Sequence, residues 1–187
     1  MQIKGFPAPY SKGSCLWLCC ALPALLVLLV LLSGQMAYAA DHAADNRANR
    51  IVSGILSFTR WPPPVQVPQL CILASARHLT LSSADAPPAT PFSVVRADST
   101  GRLSALHCDA IYFGTETPAQ QHVALAAMPD KAVLSMAENN PDCATGATFC
   151  MIFGEERTRF SVNLDSLARS GVKVSPDVLM LSRKENQ

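Results

Sequence analysis

The sequence predicts a single α/β domain, one mixed and mostly parallel β-sheet flanked by helices. Three observations predict it. From Arg159 to Leu181 the pattern runs strand, helix, strand, helix within about 25 residues, the rhythm of a layered sheet protein. Cys108 to Phe113 is apolar enough to form a central strand covered on both faces. Phe149–Phe153 and Arg159–Val162 read as strands on either side of Gly154-Glu155-Glu156, a hairpin-like connection.

The first residues belong to something else. Met1 to Lys12 carries Lys4 and Lys12 and no acid, and Leu16 to Leu32 is 17 residues without a charge. Ser33-Gly34-Gln35 breaks that run, and Ala37-Tyr38-Ala39 offers the small-x-small pattern of a cleavage site. Residues 1–39 are therefore expected to be a secretory signal peptide and residues 40–187 the exported domain. The alternative is an uncleaved anchor, because 17 residues is the lower edge for a membrane span.

Each later element has its own signal. Asp45 to Thr59 is helical by pattern, with Ala48, Ile51, Val52, Ile55 and Leu56 on one face. Phe58 and Trp61 extend that apolar surface, and Trp61-Pro62-Pro63-Pro64 ends the helix. Val67 to Ala74 reads as a strand, Ser75 to Leu81 as a short helix, and 83–91 as an irregular loop. Strands follow at Phe92 to Arg96 and Cys108 to Phe113. Thr117-Pro118 opens a helix to Met128, and Lys131 to Met136 reads as a further strand. After Arg159–Val162, Asn163 caps a short helix whose Leu164, Leu167 and Ala168 share a face. Gly171 sits where a helix end wants a left-handed residue. Val172-Lys173-Val174 is a short strand, and Ser175-Pro176-Asp177 starts the last helix with proline in its first turn.

Seven cysteines divide informatively, since Cys15, Cys19 and Cys20 leave with the signal peptide. Cys71, Cys108, Cys143 and Cys150 remain, and an even count in an exported chain reads as two disulfides with three possible connectivities. Cys71 and Cys108 both look like strand ends, so a bridge between them would tie two strands. Cys143 and Cys150 flank a short turn-forming segment that can close a small loop. A redox-active dithiol is the rival, but no Cys-x-x-Cys is present.

Catalytic signatures are missing: the sequence has no Gly-x-Ser-x-Gly, no His-Glu-x-x-His and no phosphate-cradling glycine loop. His42, His78, His107 and His122 stand at no metal-ligand spacing, so neither metal nor cofactor is expected. Asp165 and Asp177 read as helix-start residues rather than general bases. A formal net charge of +1 without a basic tract argues against nucleic acid. Arg60-Trp61 is the more informative pair. An arginine beside a tryptophan at a helix end can clamp a small anionic or aromatic ligand, and Lys173 can add a second positive group. The bland alternative puts Trp61 in the core with Arg60 reaching to solvent.

The segment Ile51-Val52-Ser53-Gly54-Ile55-Leu56-Ser57-Phe58-Thr59-Arg60-Trp61-Pro62 and the Arg159–Leu181 block together resemble the YfiR family. Cys71-Ile72, Tyr112-Phe113-Gly114 and the Cys143-to-Cys150 spacing match it as well. The resemblance implies a non-enzymatic periplasmic repressor that binds the periplasmic domain of a membrane-bound diguanylate cyclase, YfiN. It also implies the pairing Cys71 with Cys108 and Cys143 with Cys150, and a small-molecule pocket at Arg60. Outer residues of the first helix, with Phe58, are then available to a partner subunit, and a homodimer is expected. A ligand-binding sensor protein is the second reading.

Overall fold

The computed structural model describes residues 46–128 and 131–184. The expected signal peptide and His42 lie outside them. The described residues fall within one compact unit, 41–187.

Helix α1 covers residues 46–57 and is followed by β1 (Thr59–Arg60) and β2 (Gln69–Leu73). β3 (Ser93–Ala97), β4 (Ala110–Phe113), α2 (Pro118–Ala126) and β5 (Leu134–Ala137) come next. β6 (Phe149–Phe153), β7 (Thr158–Val162), α3 (Leu164–Arg169), β8 (Lys173–Val174) and α4 (Pro176–Lys184) complete the order. Six strands form one sheet in the order β3-β2-β4-β5-β6-β7. All its pairings are parallel except β6–β7, which is antiparallel as the hairpin-like sequence predicts.

Strand alternation builds a core on each side of this sheet. From β4, Ala110 and Tyr112 point into one cluster and Ile111 and Phe113 into the other. The first cluster takes the apolar face of α1 (Ala48, Val52, Ile55, Leu56) together with Trp61 and Val178. The second takes Ala124 of α2, Met128 and Leu103. β4 is thus wholly buried, which is why its sequence lacks the polar alternation of a half-exposed strand.

Several local expectations change. Ser75–Leu81 is not a helix but a turn followed by irregular chain. The amides of Arg77 and His78 donate to the carboxylate of Glu138, beyond the end of β5, at 2.9 and 2.7 Å. The first helix stops at residue 57 rather than Thr59. Thr59 Oγ1 donates to Ile55 O at 2.7 Å, and Thr59–Arg60 becomes a strand. Phe58 is half exposed and does not extend the core. In α3, Asn163 caps as expected by accepting from the Ser166 amide. Of the expected face Leu167 packs against the core, but Leu164 and Ala168 are exposed and Ser166 is the buried residue. Gly171 has a φ of 73°, the left-handed value expected of it. β8 forms as a strand yet stays outside the main sheet, pairing with β1 in a separate two-stranded ribbon.

Candidate functional site

The site is assembled where α1 ends. Phe58 N closes the helix on Gly54 O, and the chain then extends through Thr59, Arg60 and Trp61. In extended chain neighbouring side chains point to opposite sides. Thr59 and Trp61 are accordingly buried, and Arg60 between them is exposed. One guanidinium nitrogen, Arg60 Nη1, donates to Ser57 O at 3.0 Å and Thr59 O at 2.9 Å. The arginine thereby satisfies a carbonyl at the helix end and is held in place by it. Trp61 belongs to the core cluster, and its Nε1 donates to Asp109 O at 2.8 Å.

A cavity of about 280 Å³ opens beside this corner, lined among others by Leu56, Arg60, Trp61, Gln66, Thr90 and Phe92. Among its described lining residues there is no carboxylate. Arg60 and Trp61 therefore share one cavity, although Trp61 is anchored too firmly in the core to swing freely onto a ligand. Lys173 is not among the lining residues. It pairs with Arg60 across the β1–β8 ribbon, Cα opposite Cα. The ribbon is joined further by Ser175 N donating to Phe58 O at 3.0 Å.

Three carboxylates that sequence reasoning passed over organise the strand ends. Asp109 Oδ2 accepts from Gln69 N at 2.8 Å, while its carbonyl holds Trp61. Glu116 accepts from Ser75 Oγ at 2.7 Å and Gly114 N at 2.8 Å. Glu138 holds the turn at Arg77 and His78. In open parallel sheets ligands bind past the carboxyl ends of strands where the strand order reverses, which here is between β2 and β4. That crevice is filled by the chain itself. A side chain on Gly114 would come within 2.2 Å of the Ser75 and Ala76 backbone, and the Glu116 carboxylate takes the amide there.

The histidines are dispersed. His78 packs its ring 4.1 Å from that of Phe153, and His107 and His122 are exposed. Among the described residues no group of three His, Cys, Asp or Glu side chains is placed to hold a metal.

Two disulfides are present. Cys71–Cys108 joins β2 to the segment entering β4, its neighbour in the sheet. Cys143–Cys150 closes a short loop onto β6. Both sit behind little solvent: Cys71 and Cys150 are fully buried, Cys108 is 2% and Cys143 7% exposed. Cys143 has a φ of 49°, a left-handed conformation rare for a residue with a side chain.

A family model described as YfiR/HmsC-like matches residues 46–183, which is the described fold almost end to end. The chain belongs to the YfiR/HmsC-like family. Family membership fits a regulator of cyclic di-GMP signalling that works in the periplasm and is not catalytic. Disulfides suit an oxidising compartment, and among the described residues no helix is long and apolar enough to cross a membrane.

Proposed function

We propose that this YfiR/HmsC-like protein is a periplasmic repressor that binds the periplasmic sensor domain of an inner-membrane diguanylate cyclase. Binding holds the cytoplasmic catalytic domain inactive and lowers cyclic di-GMP. The observation that carries this reading is the family match across residues 46–183. Thermodynamically, the repressor must bind the inactive cyclase more tightly than the active one, and its effect is limited to that difference. The chain is exported, residues 1–39 are removed, and the outer face of α1 with the exposed Phe58 joins two copies. Redox stress that opens a disulfide relieves repression.

Deleting the gene tests this directly. Cyclic di-GMP should rise only in a strain that also expresses the partner cyclase. An unchanged level in such a strain would sink the repressor reading.

A second reading is favoured by one observation, the two cations facing each other at Arg60 and Lys173. It makes the protein a sensor of a small anionic or aromatic ligand held at Arg60, Trp61 and Lys173. A ligand retained through purification, and lost on replacing Arg60, supports it.

A further inference from the structure

On the other side of the sheet a second cavity, of about 300 Å³, lies between α2, α3 and the strands β5 and β6. That volume suits a small organic molecule. Its walls come from segments the fold ties together. Val133 N donates to Ser170 O at 3.0 Å, and a side chain on Gly171 would meet Ala132 at 3.3 Å. Lys131 and Arg169, which both line the cavity, thus stand on two touching stretches of backbone. Among the described lining residues no carboxylate answers them.

The floor carries a further donor. Ser135 and Thr148 line the cavity, are 2% and 0% exposed, and their hydroxyl oxygens lie 3.1 Å apart. The Thr148 amide also donates to Ser135 Oγ at 2.9 Å. Two hydroxyls carry two protons, and only one can lie between the two oxygens. The other proton has no acceptor among the described residues. That proton is available to an acceptor in the cavity, whether water or ligand. Leu125, Met128 and Val133 supply an apolar wall.

Both cations stand near helix ends, where carbonyls disfavour an anion and a dipole effect alone would explain a lysine or arginine. Those carbonyls are largely claimed, however. Leu167 O accepts from Ser170 Oγ at 2.7 Å, Ser170 O from Val133 N, and Leu125 O from Met128 N at 3.1 Å. What the cavity offers is two cations and a hydroxyl pair, with no carboxylate among its described lining residues, beside a patch of hydrocarbon.

We propose that this cavity binds a small organic carboxylate, its charged end between Lys131, Arg169 and the Ser135–Thr148 pair and its apolar body against Leu125, Met128 and Val133. The site is separate from the Arg60 corner and does not depend on the cyclase reading. Gly146 and Thr148, which lie inside the loop closed by Cys143–Cys150, form part of its wall.

The test uses protein purified from the periplasm, with hexanoate, hexanamide and inorganic phosphate as probes and backbone amide NMR as readout. Hexanoate should shift the signals of Val133, Thr148 and Ser166 saturably, while Gln66 and Thr90 of the other cavity stay still. Lys131→Met and Arg169→Met each remove one charge-assisted contact and should weaken hexanoate binding about tenfold or more. Both side chains are exposed, so melting temperature should hold. Absence of saturable shifts, equal binding of hexanamide, or a response to phosphate alone would each overturn the proposal.

Discussion

Arg60 and Lys173 stand directly opposite each other in the antiparallel β1–β8 ribbon. Directly opposed residues project to the same face, and like charges there repel. The sequence alone suggests one ligand site for both residues, although they lie 113 positions apart. The ribbon is the structural reason they stand opposite each other.

Removing Lys173 should therefore act oppositely on binding and on stability, whereas removing Arg60 should lower both. Lys173→Ala should leave stability unchanged or raise it by a few tenths of a kcal/mol, an effect that shrinks in high salt. Arg60→Ala also loses the bonds to Ser57 O and Thr59 O, so a modest loss of about 0.5–1.5 kcal/mol is expected. Anion affinity should fall further, by about 1.5–3 kcal/mol. Urea denaturation beside calorimetric titration separates the two effects. Equal affinities would return Arg60 to a purely structural role.

The two disulfides should be unequal. Cys71–Cys108 spans 37 positions and lies in the core, whereas Cys143–Cys150 spans 7. Longer closed loops restrict the unfolded chain more, so replacing Cys71 and Cys108 by serine should cost more stability, about 2–4 kcal/mol. Cys143–Cys150 should reduce first, because Cys143 is the most exposed of the four and sits in a left-handed conformation that an opened loop can relax. Cys143→Ser with Cys150→Ser should leave a folded, less stable and weaker repressor. Timed alkylation under reductant and the melting of both double variants measure this. A larger loss from the Cys143/Cys150 variant would show that local geometry outweighs loop length.

Gln121 should prove a structural keystone. Fully buried, it donates to Glu116 O and Asn139 O and accepts from Asn140 Nδ2 and Ala147 N. Gln121→Ala strands several of those groups at about 1–3 kcal/mol each where water cannot replace the amide. Gly146→Ala should be nearly as damaging, since its φ is 85° and a side chain would reach 2.7 Å from Gln121 Oε1. Chemical denaturation gives the cost. A loss within a few tenths of a kcal/mol for Gln121→Ala would mean that water enters and replaces the bonds.

Gly114→Ala should prevent folding or cost more than about 3 kcal/mol, because the added carbon meets backbone at 2.2 Å with no side chain free to yield. Soluble yield from the periplasm is the first readout. Near-normal yield and melting would show that the Ser75–Ala76 turn can move away from β4.

Asp85 should titrate low. Its carboxylate accepts from Ser82 Oγ and then from the Ser82 amide, and both bonds hold its pKa below the ordinary carboxylate value. Its contribution to stability is present above the ordinary pKa and lost as pH falls through the lowered one, so nothing should change near neutrality. A carboxyl NMR titration checks the direction, and an unshifted or raised value would mean the Ser82 bonds do not form in solution.

Composition and local pattern alone determined much of this protein. Apolar runs marked β2, β4 and β6, because a parallel sheet covered on both faces leaves no room for polar alternation. Thr117-Pro118, Asn163 and Gly171 marked helix ends through chemistry that acts within four residues. Tertiary structure decided the rest. Ser75–Leu81 has helix-compatible residues, yet it folds as a turn and irregular chain whose Arg77 and His78 amides are taken by Glu138, 60 positions after His78. Leu164 fits an apolar face by spacing, but the neighbour that α3 meets is the Gly146 carbonyl, so Ser166 turns inward at 2.9 Å and Leu164 turns out. Val172–Val174 reads as a sheet strand, and only the end of α1 decides that it pairs with Thr59–Arg60 instead. Propensity acts over one turn of chain, whereas a buried polar group is satisfied by whatever partner the fold brings near it. Where the two conflicted, the distant partner won.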